Sequence, residues 1–371
     1  MNRRPYQSRS QYDAFSARHA ARFTASTPDA SFFEPRKKTP LRSRILLFVL
    51  SALVLTLLLN FAANHFVHLD RVSVPIRGLP EDFDGYTLLH ISDLKGESFG
   101  SNQGMLSFAL EKAQYDAVVI TGDMISGMGN AQPLYALLDA LRERSGSIPI
   151  YFIPGDSDPT PTSSAYFSGG SPFAPWVLGA QQRGAQLLSS PQAISRGEHT
   201  VWLATSSQLS LDIDAMQKQF EQQYLRAYAS GDDNEIELAT YNLKWLEETR
   251  AARKAMQDSD TYIALAHAPL ASEELTQNPL LSRIHLVLCG HYLGGMLRLP
   301  VLGPLFVPSG SLPRYGVLPG DELVSGLRRD GRSYVYTTPG LGSASGDYPS
   351  IFFRLFNPPT VSLITLTPSA M

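Results

Sequence analysis

Cysteine is almost absent. Cys289 is the only one in 371 residues, so no intrachain disulfide can form and a stable body must rest on an ordinary apolar core. It sits in the run "HLVLCGH" and reads as a small core residue. Basic residues are scarce over most of the chain. Residues 1–44 hold ten Lys/Arg against three Asp/Glu, whereas the remainder holds 21 against 31. A body of that sign is not a nucleic-acid binder, because phosphate neutralisation needs clustered Lys/Arg. No G-x-x-x-x-G-K-[ST] loop and no G-x-S-x-G elbow before a helix are present. Those absences argue against a phosphate-cradling P-loop and the usual serine-hydrolase elbow.

There is a single long apolar run, "ILLFVLSALVLTLLLNFAA", residues 45–63. As a helix it spans roughly 28 Å, about one hydrocarbon core. Arg36, Lys37, Lys38, Arg42 and Arg44 crowd its N-terminal side. The positive-inside rule then predicts a single-pass cell-membrane protein with a cytoplasmic N-terminus and an extracytoplasmic C-terminal domain. The long leader argues against a cleaved signal peptide. Residues 1–44 read as a basic, mostly disordered cytoplasmic tail, whose basic cluster attracts anionic lipid headgroups.

Beyond an initial strand at 71–76, short apolar runs recur at 86–91, 117–121, 150–153, 201–204, 262–266 and 286–289, with helical patterns at 105–114 and 133–143 between them. Runs that are apolar throughout suit strands covered on both faces. Further runs at 305–307, 333–336, 350–356 and 360–366 follow with less helix. The pattern predicts an α/β body with two sheets over residues 70–371. Residues 212–256 interrupt it. Ile213, Met216, Phe220 and Tyr224 share a helical face, Gly231–Asn234 make a turn, and Leu238, Tyr241 and Trp245 continue on a second helix. This is a helical hairpin inserted between two core strands, packing over a sheet edge, or else capping the site or offering a protein partner a surface.

Five strand ends carry polar residues: Asp93-Leu94-Lys95, Gly122-Asp123, Gly155-Asp156-Ser157-Asp158, His267, and Gly290-His291-Tyr292-Leu293. Each alone has an ordinary structural explanation in capping, turn chemistry or core packing. Together they mark a site, because ligands of open α/β sheets gather at strand carboxyl ends. His65 and His68 follow the apolar run and read as interfacial packing, and His90 lies inside a strand as a core position.

The order of these motifs resembles that of the calcineurin-like metallophosphoesterases, whose D-x-H, G-D, G-N-H-D/E, H and G-H-x-H read here as "DLK", "GD", "GDSD", "H" and "GHYL". The lead-in "VPIRGLPEDFDGYTLLHISDL" and the "GHYLGG" ending look like the membrane-anchored bacterial branch. The resemblance implies a four-layer α/β/β/α sandwich with a dinuclear metal site, Asp123 bridging two ions. The first ion's other ligand positions are Asp93, Lys95 and Leu293, so two family histidines are missing. The second ion's are Asp156, His267 and His291, all able to bind metal.

The losses fall on one half of the site. Two facing carboxylates without a cation repel, and the Lys95 ammonium is expected to neutralise them. Asp123, Asp156, His267 and His291, with Asp93 at its edge, remain as a candidate mononuclear site for zinc, manganese or iron. Asp158 stands at the family's supporting-acid position and either orients a neighbour or caps the turn. Ser157 stands at the family's catalytic histidine and is a poor general acid near neutral pH. Two function classes stay open. One is a binding or scaffolding pseudoenzyme, weak or inactive as a hydrolase. The other is an active single-metal phosphohydrolase on a phospholipid-like or cell-envelope phosphoester.

Overall fold

Strands apolar on both sides need a partner layer on each side, and the computed structural model supplies it. It describes residues 40–125, 129–299, 301–307, 316–320, 324–343 and 354–369. Two units separate, Met1–Thr56 and Leu57–Met371. Among described residues the first contains most of one helix, α1 (Leu41–Ala63). At 23 residues and mean hydropathy 2.6, α1 is long and apolar enough to cross a membrane.

The second unit begins with the last turns of α1 and then runs β1 (His68–Ile76), β2 (Thr87–Ile91), α2 (Gly104–Ala109), β3 (Ala117–Ile120), α3 (Gln132–Ser145), β4 (Ile150–Phe152), α4 (Pro175–Gln182), β5 (Ala185–Leu187), β6 (Gln192–Arg196) and β7 (His199–Thr205). There follow α5 (Ser206–Ser210), α6 (Ile213–Ser230), α7 (Asp233–Ala255), β8 (Thr261–Leu265), α8 (Ser272–Gln277), β9 (Leu286–Cys289), β10 (Leu297–Leu299), β11 (Gly303–Phe306), β12 (Gly326–Asp330), β13 (Ser333–Thr337) and β14 (Thr360–Pro368). Two six-stranded sheets form, in the orders β1-β14-β2-β3-β4-β5 and β12-β13-β9-β8-β7-β6. β2 to β5 are parallel, as are β7, β8, β9 and β13.

Side-chain alternation sets the layers. Leu88, Val119, Ile263 and Leu288 point between the sheets into one shared core. Leu89, Val118 and Ile120 point the other way, onto Leu134, Leu137 and Leu138 of α3. Ala264, Val287 and Cys289 pack on Leu275, Leu281 and Ile284. The result is an α/β/β/α sandwich.

The helical hairpin lies between β7 and β8, as the periodicity predicts. Asp212 caps α6 by accepting from Ala215 N at 3.0 Å, Gly231 ends it at φ 70°, and Asp232 caps α7 through Glu235 N. The turn is therefore tighter than residues 231–234, with Asp233 already helical. Trp245 Nε1 donates to Ser189 O and Tyr241 meets Phe173 edge to face, so the hairpin packs on the body.

Three expectations need correction. The helix expected over 105–114 ends at Ala109, because Glu111 and Ala113 bond back three residues to Phe108 and Leu110, a tighter turn that carries Leu110 into the core. The initial strand starts at His68, three residues early, since β14 pairs along its full length. Of the run 350–356, residues 350–353 lie outside the described residues. Leu355 makes only an isolated bridge to Leu297, for the Arg354 carbonyl is taken by Asn60 and Asn64 side chains.

Cys289 is fully buried, and burial pushes its thiol up to about 12. A thiol-reactive probe should leave the native chain unlabelled and modify one site after denaturation; fast native labelling contradicts this packing.

Candidate functional site

Parallel strands direct their carboxyl ends to one edge, and here the ends of β2, β3, β8 and β9 meet. The loops after β2 and β3 are stitched together by Asp93 N to Gly122 O (3.0 Å), Lys95 N to Asp123 O (2.8 Å) and Gly96 N to Met124 O (3.0 Å). Sharp turns accompany this zipper and the loop after β9. Asp93, Lys95, Asp123, His291 and Leu293 all hold positive φ, between 52° and 76°. Asp tolerates that conformation, whereas for Lys and Leu it is strain of about 1 kcal/mol or more, the kind concentrated at functional sites. Glycine at 290 is demanded by close approach, since a Cβ there would collide with Ser92 Oγ and Asp93 Oδ2.

Asp93 is fully buried and Asp123 2 % exposed. Asp93 Oδ2 accepts from Ser92 Oγ at 2.7 Å and His291 N at 3.0 Å, while its buried Oδ1 has no hydrogen-bond partner. Asp123 Oδ1 accepts from Ser157 N at 2.8 Å. Its Oδ2 takes the Lys95 ammonium, and Lys95 Nζ also lies 3.3 Å from Ser157 Oγ. Lys95 therefore turns inward and engages Asp123 directly. It makes no hydrogen bond to Asp93, whose charge is met by Ser92 and the His291 main chain instead. Burial opposes the ammonium, but Asp123 and then Asp93 more than offset this and raise the Lys95 pKa. Burial likewise opposes charge on Asp123, yet His267 and Lys95 hold its carboxyl well below the usual range.

His267 Nδ1 bonds the Thr121 carbonyl at 2.8 Å. Its Nε2 is 3.0 Å from Asp123 Oδ2, near enough for an ion pair but off the line of a hydrogen bond, and without a partner of that kind. Burial lowers its basicity, while Asp123 and Asp93 together lift the pKa to about 9. His291 Nδ1 is 3.4 Å from Asp156 Oδ2, and burial with the neighbouring His267 lowers its pKa.

The four expected ligands, together with Asp93, thus fall into two overlapping triads that share His267: Asp156, His267, His291, and Asp93, Asp123, His267, each with donor atoms within 4.8 Å. The first fits a divalent cation. It is a two-imidazole, one-carboxylate set, and a carbonyl on Nδ1 leaves Nε2 of His267 as the ligand atom. The second is a poor cation site, because the ammonium already sits on Asp123 and Leu293, at a family ligand position, is 6 % exposed and apolar.

Asp158 is a clasp. Its Oδ1 accepts from Met124 N (2.9 Å) and Ile125 N (2.8 Å), and Oδ2 from Gly155 N (2.9 Å), joining the Asp123 and Asp156 loops. Sequence reasoning missed Arg354, 3 % exposed, whose guanidinium donates to the carbonyls of Pro339, Gly342 and Asn357 behind Asp93. Its signal was a lone charge inside "IFFRLF". His90 is a core residue, as expected. Burial drives its pKa down to about 3, and its Nε2 meets Thr121 Oγ1 at 2.9 Å.

Two outcomes follow from this geometry. Asp158→Ala should destabilise the fold by roughly 3 kcal/mol, since three main-chain N–H groups lose their acceptor; an unchanged denaturant midpoint contradicts the clasp. A neutral buried His90 adds stability that is complete above about pH 6.5 and lost as pH falls toward 3, because the unfolded chain takes the proton first. Denaturation at about pH 7 and about pH 4.5 should show a smaller loss in His90→Gln than in the parent.

Residues 86–294 match the family described as calcineurin-like phosphoesterase. The chain is 34% identical to "Phosphodiesterase YaeI" of Escherichia coli K12 over 104 residues, 28% of this chain and 32% of that protein, so this match spans about a third of YaeI. It is 21% identical to "Uncharacterized metallophosphoesterase YkuE" of Bacillus subtilis 168 over 311 residues, 83% of this chain and 88% of that one. Among solved structures, phosphopantetheinyl hydrolase PptH of Mycobacterium tuberculosis aligns with TM-score 0.34 and 13% identity, covering 70% of this chain and 91% of that chain. With the motifs in order at the strand ends and a family match over more than half its length, the chain belongs to the calcineurin-like phosphoesterase family.

Proposed function

We propose that this chain is a membrane-anchored phosphoester-binding member of its family, in which the Lys95 ammonium replaces one of two metal ions and hydrolysis is weak or lost. The observation that carries this reading is the contact of Lys95 Nζ with Asp123, with Ser157 Oγ 3.3 Å away. An ammonium supplies fixed positive charge for a phosphoryl oxygen, but it cannot polarise a water as a metal does. Ser157 can donate a hydrogen bond to such an oxygen and is no proton donor to a leaving group at neutral pH. α1 is the anchor, and the basic residues before it keep the tail cytoplasmic and the sandwich outside. The outer side of the hairpin, where Leu225 and Tyr228 are 63 and 70 % exposed, is the surface for a protein partner.

His267 Nε2, which makes no hydrogen bond although it lies 3.0 Å from Asp123 Oδ2, favours a second reading. The Asp156, His267, His291 triad then holds one zinc, manganese or iron ion, which supplies Lewis acidity, and slow hydrolysis of a lipid or envelope phosphoester persists. Either way Lys95 and Asp123 hold each other in place beside the triad.

Metal analysis of the full chain in detergent tests both. Wild type should carry at most a single equivalent, lost in His291→Ala. Lys95→His combined with Leu293→His should gain a further equivalent and raise cleavage of bis(p-nitrophenyl) phosphate by about ten-fold or more. Two equivalents in wild type, or a double variant that gains neither metal nor rate, overturns the ammonium substitution. Wild-type cleavage abolished in His291→Ala selects the single-metal hydrolase.

A further inference from the structure

The register of the first sheet places the foot of α1 at the same end as the site. His68, which opens β1, pairs with Thr360, which opens β14. β14 then runs antiparallel to β2, with Ser362 beside His90. The start of β1 and the end of β2, which leads into Asp93, therefore lie at one edge. Hydrogen bonds connect the two. Asn60 and Asn64 side chains donate to Arg354 O at 2.8 and 2.7 Å, and Phe356 N donates to Asn60 Oδ1 at 2.9 Å. The Arg354 guanidinium donates to Gly342 O at 2.6 Å, and Gly342 N donates to Asp93 O at 2.6 Å.

Between these groups lies a half-open cavity of about 330 Å³, at the small end of ligand pockets, roughly 300–1,000 Å³. Its lining is mixed: Phe61, Phe99, Met105 and Leu341 form apolar walls, and Asn64, His65, Glu97 and Arg354 supply polar groups at its margin. Phe61 belongs to α1 itself, and Asn64 and His65 follow at once. The opposite wall, residues 97–100, begins two residues beyond Lys95. Phe61 is 65 %, Met105 39 % and Phe108, one turn on from Met105, 69 % exposed, so apolar surface continues outside the cavity. A soluble domain has no reason to leave such a surface at the foot of an apolar helix. A bilayer does.

We propose that this cavity binds a hydrocarbon chain of a membrane lipid, so that the ligand class of the neighbouring site is an amphiphilic phosphoester presented from the bilayer. The inference rests on the reading of α1 as a membrane anchor. The occupant is argued from continuity: one wall of the cavity is the end of the membrane-spanning candidate, and the wall facing it leads from the site.

The test uses the full chain. Flotation with vesicles of phosphatidylethanolamine and phosphatidylglycerol first reports anchoring. Native mass spectrometry from mild detergent then reports retention of dioleoyl-phosphatidylethanolamine by wild type, Met105→Trp and Ser98→Trp, which fill the cavity or its mouth, and Phe108→Trp, which adds the same side chain outside it. Wild type and Phe108→Trp should retain one lipid, and both filling variants should lose it by about ten-fold, the equivalent of roughly 1.4 kcal/mol. Two filling positions keep the test open should one variant misfold, judged by its thermal midpoint. A chain that does not float overturns the anchor and the lipid cavity together. One that floats but retains lipid equally in all four forms overturns the cavity alone.

Discussion

Two carboxylates buried on adjacent strand ends create a charge problem that the rest of the site is organised to solve. Asp93 and Asp123 sit where β2 and β3 run out, at most 2 % exposed, and neither can be abandoned unpaired in that environment. The solutions differ. Asp93 is met by a hydroxyl and a main-chain N–H, with a buried guanidinium one layer behind it. Asp123 takes an ammonium, an imidazole and a main-chain N–H. The left-handed turns at Asp93, Lys95 and Asp123 bring these groups within reach, and the Asp158 clasp keeps the loops from relaxing.

That division explains why the family's two-ion pattern survives here as two unequal halves. On the side occupied by Lys95 the chain itself supplies a cation to Asp123, while the buried Asp93 Oδ1 has no hydrogen-bond partner. The side of Asp156, His267 and His291 is more open, with Asp156 at the surface, and it retains a donor set a cation can use. His267 belongs to both halves. With a proton it completes the charge balance at Asp123, and without one its buried Nε2 offers a lone pair, so proton and cation compete for one nitrogen.

Much of this was legible from residue order. Strands buried on both faces announce themselves as unbroken apolar runs, which is why β2, β3, β8 and β9 and the hairpin could be placed, and why polar residues at their ends stood out. Lys95 was conspicuous because it occupies a position where the surrounding motif calls for a ligand. What the order of residues does not encode is distance between loops. Nothing in "GHYL" says that the main-chain N–H of His291, rather than its ring, serves Asp93. Nothing local says that β14 slips between β1 and β2, since that pairing joins segments from opposite ends of the domain. Arg354 was missed for the same reason: its partners are carbonyls, which every residue carries. The expected four-ligand set divided into two because the donor atoms of Asp123 group with Asp93 and His267, and those of Asp156 with His267 and His291.

A lysine differs from a metal ion in one further respect. An ion is on loan from its surroundings: its occupancy follows supply, competes with other proteins and chelators, and lapses when the element is scarce. The ammonium on Asp123 is synthesised with the chain and cannot be withdrawn. On the proposed reading, in which Lys95 stands in for one ion, half of this site is assembled from the moment the protein folds, indifferent to the metal economy of the compartment around it, and keeps its shape through starvation that would empty a two-ion centre.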